Sequence, residues 1–190
     1  MTATPSTMLP LGTRVPAFRL PTATGEIVSS DAYDARPLLV AFICHHCPFV
    51  RHIRQEFARF ATEFQARGLA VVAINSNDSI AFPEDGPEGM IQEAQAAGYT
   101  FPYLFDETQE IAKAFKAACT PDLFLFDARG ALVYRGQFDS SRPRSAVPVT
   151  GSDIRAAATD VLLGNPVSIE QKPSIGCNIK WKRGNEPDYR

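Results

Sequence analysis

From Leu38 to Ile43 every residue is apolar, and from Pro48 the apolar positions change period. The first run is too short for a helix and reads as a strand buried on both faces. Phe49, Ile53, Phe57, Phe60 and Phe64 then recur at spacings of 4, 4, 3 and 4, which is one face of a helix. Arg51, Arg54, Arg59, Glu63 and Arg67 occupy its other faces, Gly68 ends it, and Leu69–Ile74 repeats the buried-strand pattern. Two strands buried on both faces, joined by an amphipathic helix, require a parallel pair covered by layers on each side. The chain is therefore expected to be an α/β protein.

The remaining segments extend that frame. Ala17–Leu20 and Glu26–Ser29 flank a Thr-Ala-Thr-Gly turn and read as a hairpin near the N-terminus, among Pro5, Pro10, Pro16 and Pro21. Residues 75–89 read as a polar loop, Met90–Ala97 as a helix closed by Gly98, Phe101–Phe105 as a short extended piece and Glu107–Ala118 as a helix. Asp122–Asp127 and Ala131–Arg135 flank Ala128-Arg129-Gly130 as a second hairpin. The last helix is expected over Ser152–Leu163, capped by Ser152 or Gly151 and stopped by Gly164. This order implies a central mixed sheet flanked by helices, its parallel strands first and an antiparallel pair last. One domain is expected over 9–164, with an N-terminal arm at 1–8 and a C-terminal extension at 165–190 holding Pro166, Pro173 and Pro187.

Composition narrows the function classes. A hydrophobic fraction of 45% and a net charge of −2 exclude a chain disordered throughout and give no basic footprint for nucleic acid. The longest clean apolar run, Leu38–Cys44, is far short of the roughly 20 residues of a membrane span. Met1–Leu11 lacks the basic and apolar regions of a secretory signal. The expectation is a cytoplasmic protein with no membrane or nucleic-acid partner; the oligomeric state is left open.

Four cysteines are too few for a disulfide-built scaffold, but Cys44 and Cys47 form a C-x-x-C pair between the first strand and the helix. In a reducing compartment such a pair is redox-active or metal-binding rather than structural. Pro48 suits the first helical position and nominates Cys47 as the N-cap, where unpaired N–H groups and the helix dipole stabilise a thiolate. Arg51 lies one turn along the same face. His45 and His46 adjoin the sulfurs, although only one can readily face them. Cys119 reads either as a small buried hydrophobe or as a neighbour of the site, and Cys177 either as an accessory thiol or as a structural residue. Trp181, beside Lys180, Lys182 and Arg183, reads as an anchor for the extension or a docking patch.

The succession strand, C-x-x-C, helix resembles the active-site layout of the thioredoxin superfamily. Leu11–Leu20, Leu38–Phe42 and Leu69–Asn77 are similar to its redoxin branch, which includes peroxiredoxins. Ala118-Cys119-Thr120-Pro121-Asp122 resembles the segment that places a cis-proline opposite the cysteines. Together with the Cys44–Pro48 and Gly176–Trp181 blocks, these match a peroxiredoxin-like group over roughly residues 9–183. The resemblance implies a thioredoxin-like fold, catalysis by Cys44 and Cys47 without a cofactor or metal, and support from His45, His46, Pro48, Arg51, Thr120 and Pro121. It also implies a disulfide-containing protein or small molecule as substrate and a cellular thiol as reductant.

Two features depart from the relatives. If Cys47 takes the peroxidatic place of a P-x-x-x-T-x-x-C pattern, Val40 and Cys44 stand where Pro and Thr would bind the peroxide. Histidines between the cysteines resemble the more oxidising disulfide isomerases. Capping makes Cys47 the nucleophile, whereas the usual order of the motif makes it Cys44. Thiol–disulfide exchange is the leading expectation, with Cys177 dispensable for most of it. The alternatives are a thiol peroxidase, with Cys47 peroxidatic and Cys44 resolving, and a copper- or zinc-binding module. The last lacks a distant histidine ligand, since all three histidines lie at 45, 46 and 52.

Overall fold

A computed structural model describes residues 3–189. Met1, Thr2 and Arg190, which belong to the expected arm and extension, lie outside the described residues. Strands are β1 (Ala3–Pro5), β2 (Arg19–Pro21), β3 (Ile27–Ser29), β4 (Leu38–Phe42), β5 (Ala70–Asn75), β6 (Tyr103–Phe105), β7 (Cys119–Thr120), β8 (Asp122–Phe126), β9 (Leu132–Gly136) and β10 (Ile175–Asn178). Helices are α1 (Pro48–Ala66), α2 (Pro87–Ala97), α3 (Glu110–Ala114) and α4 (Ser152–Leu163).

The central sheet has the order β6-β5-β4-β8-β9. β4 runs parallel to β5, and β5 to β6, whereas β8 is antiparallel to both β4 and β9. The continuous apolar runs are explained by layers on both faces. Leu39, Ala41 and Ile43 point toward Phe57, Phe60 and Phe64 of α1 and Ile154 of α4. Leu38, Val40 and Phe42 point the other way, toward Phe115 and toward Leu9, Phe18 and Leu20 of the N-terminal segment. Each ring removed from water contributes about 1.5–3 kcal/mol, so the phenylalanine stripe alone anchors α1 firmly. Phe60 and Phe64 also pack with centroids 4.6 Å apart.

This topology assembles the site. β4 and β5 are parallel, so the loops that follow them open at the same end of the sheet. β8 is antiparallel to β4 and pairs Asp122 with Phe42, so β8 begins at that end too. Cys44–Cys47, the loop of residues 76–86 and the cis peptide Thr120-Pro121 therefore converge.

Three segments differ from the sequence reading. The helix expected over Glu107–Ala118 shrinks to Glu110–Ala114. Its start is reset because Gln109 is fully buried with a positive φ. The Gln109 amide donates to the carbonyls of Ser76 and Lys180 and accepts from the Lys182 N–H. These long-range bonds outweigh local helix propensity. α2 begins at Pro87 rather than Met90. The C-terminal extension carries a strand that periodicity did not reveal: β10 pairs with both β1 and β7.

Candidate active site

Cys47 is the N-cap of α1, with Pro48 in its first turn, as capping chemistry requires. Both sulfurs of the pair lie against Thr120. The Cys44 sulfur is 3.3 Å from the Thr120 hydroxyl, and the Cys47 sulfur is 3.1 Å from the Thr120 carbonyl. Cys44, Cys47 and Cys119 are fully buried and Cys177 nearly so.

The two thiols are electrostatically unequal. The interaction between the two sulfurs is the largest influence on both groups, lowering the Cys47 pKa and raising that of Cys44. Burial and the Thr120 carbonyl favour the Cys47 thiol form. The Thr120 hydroxyl, the Cys177 S–H and the Val50 N–H join Cys44 in favouring the thiolate and prevail, bringing the Cys47 pKa down to about 5. Cys44 moves in the opposite direction, held protonated by its bond to Cys47, by burial and by the nearby Asp85 charge. The thiol with the lower pKa is the one more readily present as a thiolate, and in this pair that is Cys47.

Each histidine between the cysteines is held by a buried carboxylate. His46 Nδ1 pairs with Asp85 Oδ2, and the His46 backbone N–H donates to Asp85 Oδ1 at 3.1 Å. Asn77 donates its amide to the same carboxylate at 2.7 Å. The Asp85 bond raises the His46 pKa against the opposing effect of burial. Phe82 stacks on the His46 ring at 5.5 Å. His45 turns away, with Nδ1 at 3.0 Å from Glu93, a carboxylate that also takes Arg54 at 3.3 Å and the Tyr99 hydroxyl at 3.3 Å. Arg51 donates to the His45 carbonyl at 3.0 Å and so fixes the loop backbone. The Tyr103 hydroxyl donates to the Ile43 carbonyl at 3.2 Å, just before the pair.

Asp85 is placed by an unusually close approach. A Cβ at Gly89 would stand 1.8 Å from the Glu84 carbonyl oxygen, so only glycine lets the turn carrying Asp85 fold onto α2. Cys44, His46 and Asp85 bring a sulfur, an imidazole nitrogen and a carboxylate oxygen within 4.8 Å of one another. These are the described residues best suited to a metal, but both Asp85 oxygens already accept hydrogen bonds. Of these three groups, His46 and Asp85 are hydrogen-bonded to each other, and Cys44 lies near them.

Of the remaining residues singled out in the sequence, Pro121 is cis and borders a shallow pocket with Phe49, His52, Phe138, Ser141 and Ile175. Cys119 is held well above the usual thiol range by burial and by Asp122, which makes it a poor nucleophile. Trp181 is partly buried and packs against the core cluster that includes Leu9, Phe18 and Leu20. Asp85, Glu93, Asn77 and Tyr99 went unnoticed in the sequence. Nothing local marks them, because their roles arise only when residues 75–99 fold back over the pair.

Residues 11–135 match the family model described as AhpC/TSA. The chain belongs to the AhpC/TSA family. Two solved structures match it over nearly its whole length, both with a TM-score of 0.93. One is an uncharacterized conserved protein from Geobacillus kaustophilus, 50% identical and covering 96% of this chain and 97% of that one. The other is a hypothetical protein from Sinorhizobium meliloti 1021, 53% identical and covering 95% and 100%. A Mycobacterium tuberculosis protein named "Putative peroxiredoxin" is 33% identical over 115 residues, which is 60% of this chain and 68% of that protein. A thioredoxin-family thiol:disulfide interchange protein from Chlorobium tepidum TLS shares the fold, with a TM-score of 0.63, 19% identity and coverage of 80% and 97%. The chain is thus a redoxin-branch member of the thioredoxin superfamily with a thioredoxin-like fold, and its family points to oxidoreductase chemistry.

Proposed function

We propose that this AhpC/TSA protein is a thiol–disulfide oxidoreductase acting through Cys47 and Cys44. The observation that carries this reading is geometric: Cys47 caps the start of α1, and the Cys44 and Cys47 sulfurs both lie on Thr120, 3.3 Å from its hydroxyl and 3.1 Å from its carbonyl, beside cis-Pro121. The Cys47 thiolate attacks one sulfur of a protein or small-molecule disulfide, entering past Pro121 and Phe49. The second substrate sulfur leaves as a thiolate and takes up a proton. Cys44 then gives its proton to the His46–Asp85 pair and attacks the Cys47 sulfur of the mixed disulfide. The other substrate thiolate departs, and a Cys44–Cys47 disulfide remains. In the cytoplasm, the compartment proposed here, a cellular thiol reductant regenerates the dithiol.

Turnover of a model disulfide by Cys47→Ser and Cys44→Ser tests this. Loss of all reaction in the first, and in the second formation of the Cys47 mixed disulfide without any Cys44–Cys47 product, are expected. Undiminished turnover by Cys47→Ser would refute the mechanism.

The family and its mycobacterial relative favour one second reading, a thiol peroxidase in which Cys47 becomes a sulfenic acid and Cys44 condenses with it, releasing water. Against it, Val40 is buried inside β4 and Cys44 stands in the threonine place. Stopped-flow oxidation by hydrogen peroxide is expected to be slow beside a true peroxiredoxin, and a comparable rate would reverse the order of the two readings.

A further inference from the structure

β10 lies on the strand edge that faces the reactive thiols. It pairs Cys177 with Thr120, the residue preceding cis-Pro121, and Asn178 with Cys119. The approach is closer than any side chain permits at the adjoining position. A Cβ on Gly176 would stand 2.0 Å from the Thr120 carbonyl oxygen and 2.5 Å from its carbon. Beyond the strand the segment is clamped again. The Ile179 N–H donates to the Ala118 carbonyl at 3.1 Å, the Lys180 N–H to Asn77 Oδ1 at 2.9 Å, and the Asp78 N–H to the Lys180 carbonyl at 2.8 Å. On the other edge β1 completes the small sheet. The chain thus lays its own strand beside the site and carries a cysteine where that strand passes Cys47. Cys177 is 2% exposed and shares a hydrogen bond with the Cys47 sulfur.

We propose that Cys177 is a third redox-active thiol, presented by β10 in the manner of a tethered substrate, so that Cys47 has two alternative intramolecular disulfide partners, Cys44 and Cys177. This rests on the Cys44/Cys47 pair being the redox couple. Starting from a Cys44–Cys47 disulfide, the Cys177 sulfur attacks the Cys47 sulfur. The Cys47–Cys177 bond forms and the Cys44–Cys47 bond breaks. Its electron pair leaves with the Cys44 sulfur, which receives the proton lost by Cys177. One disulfide and one thiol are present before and after, so no external oxidant or reductant is consumed. Burial and the bond to Cys47 push the Cys177 pKa up to about 12, which keeps it protonated and quiet while Cys47 is a thiolate. Oxidation of Cys47 removes that anion and with it the part of the shift that comes from Cys47, while burial continues to act on Cys177. The product would bind the C-terminal extension covalently to the start of α1.

The reduced full-length protein and its Cys44→Ser, Cys44→Ala and Cys177→Ser variants should each be given one equivalent of diamide. Free thiols are then blocked in acid, and the disulfides mapped by non-reducing peptide mass spectrometry. The wild type is expected to yield both Cys44–Cys47 and Cys47–Cys177, the Cys44 variants Cys47–Cys177 as their main product, and Cys177→Ser only Cys44–Cys47. Wild type and both Cys44 variants lacking any Cys47–Cys177 bond, or coupling Cys47 to Cys119 or to a second molecule instead, would overturn the proposal. Failure of Cys177→Ser to form Cys44–Cys47 would instead count against the underlying pair, while a Cys47–Cys177 product in the same series would still support the third thiol.

Discussion

Cys47 and Cys44 are three residues apart and shifted in opposite directions, because the hydrogen bond between their sulfurs lowers the pKa of one and raises that of the other. The consequence is measurable in the reduced protein. A brief iodoacetamide pulse at pH 6–7 should label Cys47 ahead of the other three cysteines, and its labelling rate should fall as the pH drops through about 5. Earlier labelling of Cys44 would place the nucleophile at the first cysteine. In the proposed mechanism His46 acts one step later. Its pKa is raised by Asp85, so neutral His46, the form able to accept the Cys44 proton, forms at a higher pH than it would without that bond. The resolving step should therefore rise with pH through that raised value, and Asp85→Asn should shift the rise to lower pH. His46→Asn should slow resolution by about 100-fold, the usual scale of a lost acid–base group, while formation of the mixed disulfide proceeds. Single-turnover mass spectrometry separates the two steps, and equal slowing of both would make His46 a merely structural residue.

Strand and helix periodicity was legible wherever burial alone decides structure. The apolar run of β4, the phenylalanine stripe of α1 and the span of α4 are all where the sequence put them. The N-cap at Cys47 was legible for a local reason too, the Pro48 beside it. Segments held by distant partners were not. Residues 107–118 gave a helical pattern that the buried Gln109 overrides, and β10, with only two of its four residues buried, has no periodicity to find. Its defining residue is Gly176, whose meaning appears only against Thr120. Gly176→Ala must part β10 from β7 and is expected to cost about 2–3 kcal/mol, on the scale of other overpacking changes. Urea unfolding reads this directly, and an unchanged midpoint would show that the two strands separate freely. Phe60→Ala in α1 should cost about 3–5 kcal/mol by the same measurement.

At the scale of the whole molecule, stability carries a charge buried below the site. Asp122 is fully buried, and its Oδ1 has no hydrogen-bond partner among the described residues. Burial pushes its pKa up to about 7 from 3.8. Because the folded form holds its proton more tightly, the stabilisation is complete below about pH 4 and is lost as the pH rises toward 7. A shift of about three units corresponds to something on the order of 4 kcal/mol. Asp122→Asn should flatten this slope and leave the variant more stable than the wild type at pH 8, and parallel curves for the two proteins would show that Asp122 stays ionised.

The small sheet β1-β10-β7 joins residues 3–5 to residues 175–178. During synthesis the central sheet, with its pair of thiols, has all its strands once residue 136 has left the ribosome, but the covering strand is still unmade. Domains assemble from the N-terminal side as they emerge. The nascent chain therefore passes through a stage in which the Cys44–Cys47 segment is made before its cover exists. Chaperones and small thiols would meet it then, and any product that stops short of residue 178 would keep that segment open permanently.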